Sequence, residues 1–534
     1  MRIVTSNEMK EIENQAEKEF LFDESLIIEN VGVEAANLFE HQVGRDSLSV
    51  IFLIGKGSNG ADGLAFARNL ANRGHKIRAF MCFSKEECSA ELINQAERAD
   101  RFGVLINETY DMETITSFCD QISGPLIVID ALFGTGVRLP LPNFITDIVN
   151  YMNDRADLVV SIDIPSGVEG DTGFTQGAAI KADLTYAISL PKIGYYMDDG
   201  PRHVGKVEIL DIGLPKKLTS SGDKFLLDLN DVYDVANKRD KFGDKKVFGH
   251  TLAIGGSHGL TGALVLTSQS ALKVGAGLVT AATWEPQYQE LIFRLIPEVM
   301  TGYVPLDMTK WPRLISDLNK YSSIVIGPGL ARSTRARKLV LDILANFQGP
   351  VVVDADAINI LDIDEDEKVF KLRNAPTVLT PHFGEFARFS KTDLSELKRR
   401  PVEFLQQTIE RINCTVVLKG ACTYIGMSSG EVGINYYPND GMATGGVGDV
   451  LAGILGGLLG QNQFLKDSIS LSQKYEKFNE LVGLGVWIHS EAGRVAQETL
   501  GVRSMTATSL VESFSDVFKL MDGQTATEVS TSAN

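Results

Sequence analysis

The sequence predicts an α/β protein with two domains, each built on a mostly parallel sheet covered by helices on both faces. Short apolar segments of strand length alternate with amphipathic segments of helix length along most of the chain. Strands that are apolar along their whole length are typical of parallel sheets buried on both sides. Glycine-rich turns repeatedly follow these apolar segments and precede the helices. These three observations together predict the fold class.

Composition and charge are those of a folded, acidic, multidomain protein. The chain has 534 residues, so two to four domains of roughly 100–200 residues are expected. Its 50 glycines far outnumber its 17 prolines, which disfavours a collagen-like or disordered chain and favours many tight turns. The formal net charge of −18 argues against nucleic acid or an anionic membrane as a partner.

The cysteines and the apolar stretches indicate in which cellular compartment the protein is expected. The five cysteines are widely spaced and form no CxxC pair, which argues against a disulfide framework or a structural zinc site. The N-terminal segment MRIVTSNEMKEIENQ lacks the apolar core of a secretory signal. No apolar stretch reaches the ~18–20 residues that a spanning helix needs. We therefore expect a soluble cytoplasmic protein, with the formation of a homo-oligomer left open.

Strand and helix patterns place a first domain over residues 1–214. Thr5 followed by Glu8 fits the capping box of a first helix. The apolar segment 48–54 predicts a strand that ends at a glycine-rich turn, after which apolar residues recur at helical spacing. Further strands are predicted at residues 77–83, 125–130, 158–163, 184–190 and 207–210, with helices at 88–102 and 144–153.

A second domain is predicted over residues 225–521. The polar segment PKKLTSSGDK, residues 215–224, predicts a linker before it. The small polar residues 522–534 predict a disordered tail after it. The strands predicted in this domain cover residues 251–254, 278–282, 323–326, 350–354, 377–380 and 415–418, and the helices cover 263–274, 334–347, 401–412, 449–459 and 485–500.

Three polar turns follow strands of the first domain. GKGSNGADG contains Asn59, IVIDALFGTGV places Asp130 at a strand end, and VVSIDIPSGV does the same for Asp163 and adds Ser166. Ligands of open parallel sheets bind at the carboxyl ends of strands, so three such turns favour a site. Asn59, Asp130 and Ser166 would supply hard oxygen ligands for an alkali or alkaline-earth cation. The alternative is that the two aspartates cap the helices that follow them.

With the later LPKIG, these motifs resemble the NAD(P)HX epimerase domain of the bifunctional NAD(P)H-hydrate repair enzymes. The resemblance implies a Rossmann-like three-layer sandwich, an isomerase that interconverts the R and S forms of hydrated NADH and NADPH (NADHX and NADPHX). It implies a potassium ion held by Asn59, Asp130 and Ser166. Asp163 and Lys192 are implied to be catalytic. The residues implied to bind the hydrated dinucleotide are Ser58, Asn59, Gly60, Ala61, Asp62, Gly134, Thr135, Gly136, Val137, Arg138, Leu139, Pro140 and Asp163.

Epimerisation at the hydrated carbon requires a C–O bond to break and reform. A carboxylate such as Asp163 can stabilise a cationic nicotinamide intermediate or relay a proton, and the sequence leaves both roles open. The turn SNGADG departs from the usual NNGGDG of the family. Ser58 lacks the amide and Ala61 adds a methyl group, whereas Asn59 and Asp62 are present.

The segment NDGMATGGVGDVLAGILGGLLG, residues 439–460, is the strongest signal in the second domain. Backbone N–H groups of residues 445–448 and the helix dipole make an anion hole for a phosphoryl group. Asp449 is placed to accept a proton from a substrate hydroxyl as that hydroxyl attacks phosphorus. The alternative is an N-cap on a tightly packed helix, which does not need so many clustered glycines.

This segment resembles the GAGD signature of ribokinase-like kinases, and the domain more closely resembles the ADP/ATP-dependent NAD(P)HX dehydratases. The motifs that carry the resemblance are GGSHGLTGA, IGPGL, VVDADAIN, TPHFGE and LKGACTYI. A ribokinase-like α/β domain that uses Mg²⁺ with ADP or ATP is implied. The hydrated dinucleotide is implied to contact Ala263, Gly329, His382 and Asp449, and the adenine nucleotide Lys419, Gly420, Ala421, Cys422, Thr423 and Gly448.

The implied activity is metabolite repair by an isomerase and a lyase. Hydroxide is a poor leaving group, so Asp449 deprotonates the hydroxyl, the nucleotide phosphorylates it, and phosphate departs as the ring nitrogen donates electrons. The variant KGACT replaces KGAGT, and Cys422 is expected to pack rather than react. Two alternatives stay open, a ribokinase-like small-molecule kinase with an accessory N-terminal domain and an RNA-associated scaffold. The Asn59, Asp130 and Ser166 set and the acidic charge argue against the scaffold.

Overall fold

The computed structural model describes residues 1–232, 235, 241–461 and 470–531. The chain divides into two compact units, Arg2–Lys224 and Phe225–Asn534, and Met1 belongs to the second. Within the described ranges, no helix combines the length and the apolar character needed to traverse a lipid bilayer.

The first unit contains a parallel sheet. Its described strands, β1 to β7 in chain order, are Ser49–Ile54, Lys76–Met81, Leu105–Glu108, Ile127–Ala131, Leu158–Ile162, Leu184–Ile188 and Lys206–Leu210. They lie in the order β3-β2-β1-β4-β5-β6-β7, and every neighbouring pair is parallel. The strand order reverses direction between β1 and β4, which is where doubly wound sheets open a ligand crevice at their carboxyl ends.

Helices cover both faces of this sheet. The helices α1 to α7 are Ser6–Phe20, Glu24–Val43, Ser58–Asn72, Ala90–Arg101, Met112–Cys119, Asn143–Arg155 and Lys216–Thr219. Alternate residues of β1 enter different cores, since Phe52 packs in one cluster and Leu53 in the other. Burial of each such side chain contributes about 1.5–3 kcal/mol. The predicted capping box is present, because Thr5 caps α1 and Glu8 bonds back to its amide.

The second unit contains a longer, mixed sheet. Its described strands, β8 to β17, are Lys224–Leu226, His250–Ile254, Leu278–Trp284, Met300–Val304, Ser323–Ile326, Val351–Val353, Thr377–Leu379, Thr415–Leu418, Cys422–Gly426 and Val432–Tyr436. Their order is β11-β10-β9-β12-β13-β14-β15-β16-β17-β8. Pairing is parallel from β11 to β15, and β15, β16 and β17 are antiparallel neighbours.

A glycine-rich helix crosses the core of this unit. The helices α8 to α20 are Leu229–Val232, Thr261–Lys273, Tyr288–Arg294, Trp311–Ser316, Thr334–Asn346, Asp356–Asn359, Ile363–Leu372, Phe383–Ser390, Leu394–Arg399, Pro401–Ile412, Val447–Gln461, Leu471–Leu500 and Ala507–Thr531. A Cβ atom on Gly453 of α18 would lie 2.2 Å from the Thr267 carbonyl oxygen of α9. One on Gly456 would lie 2.2 Å from Val325 of β12. These glycines therefore serve close packing.

The central parallel strands and the edge strand β7 match the sequence prediction, but the other edge strands and the antiparallel pair β16 and β17 were missed. The strands absent from the prediction are Leu105–Glu108, Lys224–Leu226, Met300–Val304, Cys422–Gly426 and Val432–Tyr436. Edge strands and antiparallel hairpins can face water on one side, so they need no continuous apolar run. The helix predicted at 485–500 begins at Leu471, because Ser470 and Gln473 form a capping box there.

The structure adds detail at two predicted boundaries. The segment 215–224, predicted as a linker, contains α7, and Lys224 at its end donates to Glu8 Oε1 at 2.8 Å within the first unit. The helix α20, Ala507–Thr531, extends into the segment 522–534 that is predicted to be a disordered tail. Residues 532–534 lie outside the described residues.

The close approach of α18 to α9 makes a stability prediction. Gly453→Ala should lower the free energy of unfolding by about 1–3 kcal/mol, because the new methyl group meets backbone rather than a flexible side chain. Chemical denaturation followed by tryptophan fluorescence measures it, because Trp284, Trp311 and Trp487 all lie in the second unit. Gly262→Ala in α9, where a Cβ meets nothing within 4 Å, is the control. Equal stability of the two variants would contradict the packing argument.

Candidate active sites

The first candidate site lies at the carboxyl ends of β1 and β4. The turn after β1 leads into α3, whose N-cap residue Gly57 supplies no side-chain hydrogen bond. The first amides of a helix have no partner within that helix, so they point toward a ligand. A Cβ on Gly55 would lie 1.6 Å from the Leu132 carbonyl oxygen, so the two loops approach closely enough to require glycine.

Two side chains near the start of α3 carry buried polar atoms without a partner among the described residues. They are the amide of Asn59, through both Oδ1 and Nδ2, and Asp62, through Oδ1. The two residues are one helical turn apart, so they share a face of α3. Burial raises the pKa of Asp62 well above its usual range, and the nearby Asp163 adds to the effect. Unpaired polar atoms of this kind indicate the place of a polar ligand.

Asp163 is held in place from several directions. Its backbone is in the left-handed region with φ of 63°, which is unusual for a residue with a Cβ. Lys192 Nζ donates to Asp163 Oδ1 and to the Ile188 carbonyl oxygen at 3.2 Å, and Lys192 is 1% exposed. The Tyr195 hydroxyl donates to the Asp163 carbonyl oxygen. This places a fixed ion pair beside the orphaned amide and carboxyl of α3.

The loop from Gly134 to Pro140 borders the same cluster. A Cβ on Gly134 would lie 3.3 Å from Asp163 Oδ2 and 3.5 Å from Asn59 Cγ, so this loop joins the predicted residues of all three turns. The side chains of Val137 and Leu139 pack against a core cluster instead. Contacts of those two residues to a ligand would therefore come from their backbone atoms.

Asp130 and Ser166, predicted as cation ligands, bond to each other. The Asp130 carboxylate is fully buried and accepts from the Ser166 hydroxyl at 2.6 Å and the Ser166 amide at 2.8 Å. The Ser161 hydroxyl and the Leu132 amide donate to it as well. Burial raises the pKa of Asp130, although these donors oppose the shift. Four donors fill the capacity of a carboxylate, whereas Asn59 Oδ1 is available for a cation.

The second candidate site lies at the carboxyl ends of β13, β14 and β15. Lys419 Nζ donates to Asp354 Oδ1 at 2.8 Å, and the Thr380 hydroxyl donates to the same oxygen at 2.8 Å. Burial alone would lower the pKa of Lys419, but the Asp354 carboxylate reverses this and raises it. The sequence prediction included Lys419 and missed Asp354 and Thr380, although VVDADAIN and TPHFGE place both directly after strands.

Asp449 lies in the first turn of α18, two residues after the helix begins at Val447. The Thr267 hydroxyl donates to its carbonyl oxygen at 3.1 Å. Burial raises the pKa of Asp449 to about 7, and the neighbouring Asp354 carboxylate adds to the shift. A Cβ on Gly448 would lie 3.1 Å from Lys419 Nζ, so the ammonium group lies against this turn. A carboxyl with this pKa can act as a base near neutral pH.

His382 and Gly329 occupy the border of this second site. His382 caps α15, and its Nδ1 accepts from the amides of Gly384 and Glu385. Its Nε2 lies 3.6 Å from Glu385 Oε1, and its side chain is 60% exposed. Gly329 has a positive φ of 61°, and a Cβ there would lie 3.4 Å from Cβ of Ala263, so these two predicted residues are neighbours.

Of the predicted adenine-nucleotide residues, 419–421 form the turn between β15 and β16, 422 and 423 begin β16, and Gly448 lies in α18. Gly420 and Ala421 are exposed, whereas Cys422 is buried in β16. Burial raises the pKa of the Cys422 thiol to about 12, so it is held as an unreactive thiol. The ring of Phe383 lies 2.9 Å from the position of a Cβ on Gly420. The phenylalanine of TPHFGE thus packs on this turn.

Comparison with known proteins identifies the family. A family model described as NAD(P)H-hydrate dehydratase matches residues 251–515, and one described as YjeF-related protein N-terminus matches residues 24–194. The bifunctional NAD(P)H-hydrate repair enzyme of Moorella thermoacetica is 33% identical to this chain, and the match covers 99% of each. The chain belongs to the family of bifunctional NAD(P)H-hydrate repair enzymes. The resemblance drawn from the motifs and the predicted fold class are confirmed.

One further full-length relative and one solved structure that covers part of the chain are also similar to it. The bifunctional enzyme of Thermofilum pendens is 31% identical, over 96% of this chain and 95% of its own. The crystal structure of the ADP/ATP-dependent NAD(P)H-hydrate dehydratase of Bacillus subtilis, co-crystallised with ATP and Mg²⁺, has 24% identity and a TM-score of 0.47. It covers 55% of this chain and 98% of its own.

The raised pKa of Asp449 makes a prediction about stability. An acid whose pKa is higher in the folded state binds its proton more tightly there, so stability is lost as pH rises from about 4 through about 7. Asp449→Asn should therefore raise the free energy of unfolding at pH 8 by on the order of 2 kcal/mol. The gain should shrink toward pH 4, where both side chains are neutral.

Unfolding of the second unit, followed by tryptophan fluorescence at several pH values, measures this difference. Asp440→Asn, at an exposed position in the loop before α18, is the matched control and should show no such trend. A gain from Asp449→Asn that is the same at pH 5 and pH 8 would show that burial does not raise this pKa.

Proposed function

We propose that this chain epimerises R- and S-NAD(P)HX at the first site and dehydrates S-NAD(P)HX at the second with ADP or ATP. The observation that carries the proposal is Asp449, a carboxyl with a pKa of about 7 at a helix N-terminus beside Lys419. Membership of the repair-enzyme family supports it over the small-molecule kinase and the RNA-associated scaffold.

In the first reaction, Asp163 and Lys192 are the catalytic pair. The C–O bond at C6 breaks as its oxygen takes up a proton and leaves as water. Water then adds to the opposite face of the cationic ring and gives up a proton, so that the proton count is unchanged. The Asp163 carboxylate, fixed by Lys192, stabilises that positive charge as it develops. The amides at the start of α3 and in the loop 134–140 bind the pyrophosphate and ribose groups.

The potassium ion of the first site would be held by Asn59 with Asp130 and Ser166. The buried, unpartnered Oδ1 of Asn59 supports this assignment. Asp130 already has four donors. The Ser166 hydroxyl donates to Asp130 and accepts from the Phe133 amide at 3.0 Å, which leaves it one lone pair for a cation. A bound K⁺ would supply positive charge that an acidic protein needs beside an anionic dinucleotide.

In the second reaction, the Mg²⁺ complex of ADP or ATP is the co-substrate. Asp449 takes the proton of the C6 hydroxyl as that oxygen attacks the terminal phosphorus, which releases AMP or ADP. Lys419 and the amides at the start of α18 stabilise the charge on the transferring phosphoryl group. The ring nitrogen then expels phosphate to leave an iminium ion, and loss of the C5 proton to solvent restores the dihydropyridine. The exposed turn at Gly420 and Ala421 supplies the adenine side of the site.

Compartment and partners follow from the same chemistry. The cysteines Cys82, Cys88, Cys119, Cys414 and Cys422 are all free, which supports a reducing cytoplasmic location. The partners are the small molecules NADHX, NADPHX and ADP or ATP.

Two isosteric variants should separate the reactions. Asp449→Asn should slow NADH formation from S-NADHX by about 10²–10⁴-fold and leave R/S equilibration intact, because it removes only the base of the second site. Asp163→Asn should slow equilibration to its spontaneous rate and leave dehydration of the S form intact. Chromatographic separation of the epimers and recovery of the NADH absorbance band measure both. Wild-type protein that phosphorylates an alcohol and forms no NADH would refute the proposal.

Replacement of K⁺ by tetramethylammonium should slow epimerisation severalfold, because that ion cannot enter an oxygen cage. The Asn59→Ala variant should epimerise slowly in both salts, and its rate should not differ between them, since it lacks the free amide oxygen. Equal wild-type rates in the two salts would exclude a functional cation at this site.

A further inference from the structure

We propose that Asp354 and Thr380 are positioning residues of the dehydratase site, which hold the Lys419 ammonium group against α18 and keep it from pairing with Asp449. The inference rests on the function proposed above and deepens it. The ligand-binding residues that the family resemblance implies do not include Asp354 or Thr380. The inference therefore comes from the geometry of this chain.

The sheet itself brings the three side chains together. Strands β13, β14 and β15 are parallel neighbours, with Val353 paired to Leu379 and Leu379 paired to Val416. Asp354 and Thr380 each follow the last residue of a strand, and Lys419 follows β15. The Thr380 hydroxyl and the Lys419 ammonium group then donate to one oxygen, Asp354 Oδ1, each at 2.8 Å.

The backbone and the packing restrict Lys419 further. Its amide donates to the Pro381 carbonyl oxygen at 2.8 Å, which fixes the start of the side chain. Nζ lies 3.1 Å from the position of a Cβ on Gly448, so that glycine leaves the space for the ammonium group. Asp354 is 1% exposed and cannot turn out to solvent with its charge. The ammonium group is therefore confined between Asp354 and the first turn of α18.

Which carboxylate pairs with the Lys419 ammonium group matters, because several acidic side chains lie near it. Asp354, Glu385, Asp356 and Lys419 all act on Asp449 electrostatically. From α19, the half-buried His489 stays neutral near pH 7, since desolvation lowers its pKa to about 4. A carboxylate paired with an ammonium group is a weaker base than an unpaired one. With Lys419 bonded to Asp354, Asp449 stays free to take the substrate proton.

The same arrangement leaves Lys419 able to bind phosphate. An ammonium group has three N–H donors, and Asp354 uses one of them. The remaining donors face the turn where the transferring phosphoryl group is proposed to lie. Asp354 thus orients the cation toward phosphate, and Thr380 holds Asp354 in the orientation that allows this.

The test is Asp354→Asn, which removes the charge and keeps the volume. We expect the plateau of kcat for NADH formation to fall about tenfold or more. The acid limb of the pH profile should move down by about one pH unit, because Lys419 is released to pair with Asp449. KM for the nucleotide should rise as well. Thr380→Val should reproduce these changes at smaller size. Asp317→Asn, at an exposed position before β12 and so at the amino end of that strand, is the matched control and should leave the plateau within about twofold.

A double variant separates positioning from a general charge effect. If Asp354 acts through Lys419, Asp354→Asn should change the plateau less than about twofold in a Lys419→Met background. Multiplicative effects of the two substitutions, or an unchanged pH profile in Asp354→Asn, would overturn the proposal. Circular dichroism and thermal melting check that each variant folds, and Thr380→Val decides if Asp354→Asn does not. Absence of NADH formation by the wild-type protein would refute the proposed function instead.

Discussion

A carboxylate–ammonium pair at the carboxyl ends of parallel strands lies in each unit of this protein, with its carboxylate buried, and the arrangement of each site depends on it. Asp163 bonds to Lys192 in the first unit, and Asp354 bonds to Lys419 in the second. Loss of one partner from such a pair costs about 3–5 kcal/mol, because the other charge remains buried and uncompensated. The register of neighbouring strands is therefore constrained, since a shift would separate the charges.

Each site also contains a second carboxyl group that lies near the ion pair and does not belong to it. Asp62, which is buried in the first unit, and Asp449, which is half-buried in the second, lie near the ion pair without joining it, and desolvation raises the pKa of both. Two carboxyl groups with different environments can divide the work, one remaining ionised and the other exchanging a proton. The two reactions proposed here both need stabilised positive or negative charge together with proton transfer, so the shared design suits them both.

The sequence predicted the parts of the fold that have a single physical cause. Central strands such as Val351–Val353 are apolar throughout because both faces are buried, and this reads directly from the residues. Edge strands such as Leu105–Glu108 are partly solvated and carry no such run. Asp163 and Asp449 were predicted because each directly follows or precedes a recognisable turn. The bond between Asp354 and Lys419 spans 65 residues and needs the strand order, which local patterns do not contain. The mutual bonding of Asp130 and Ser166 was hidden for the same reason.

The glycines of α18 have two separate roles, which a count of glycines does not distinguish. Gly453 and Gly456 allow the helix to approach α9 and β12, whereas Gly448 leaves space for the Lys419 ammonium group. The packing glycines fix the depth of the helix, and that depth sets where its first turn meets Lys419. Close packing of α18 therefore also fixes the position of Asp449. A methyl group added to one of the packing glycines would move the helix, and the first turn that contains Asp449 would move with it. An acidic protein that binds anionic nucleotides depends on such local placement of amides and one cation, since its overall charge of −18 repels them.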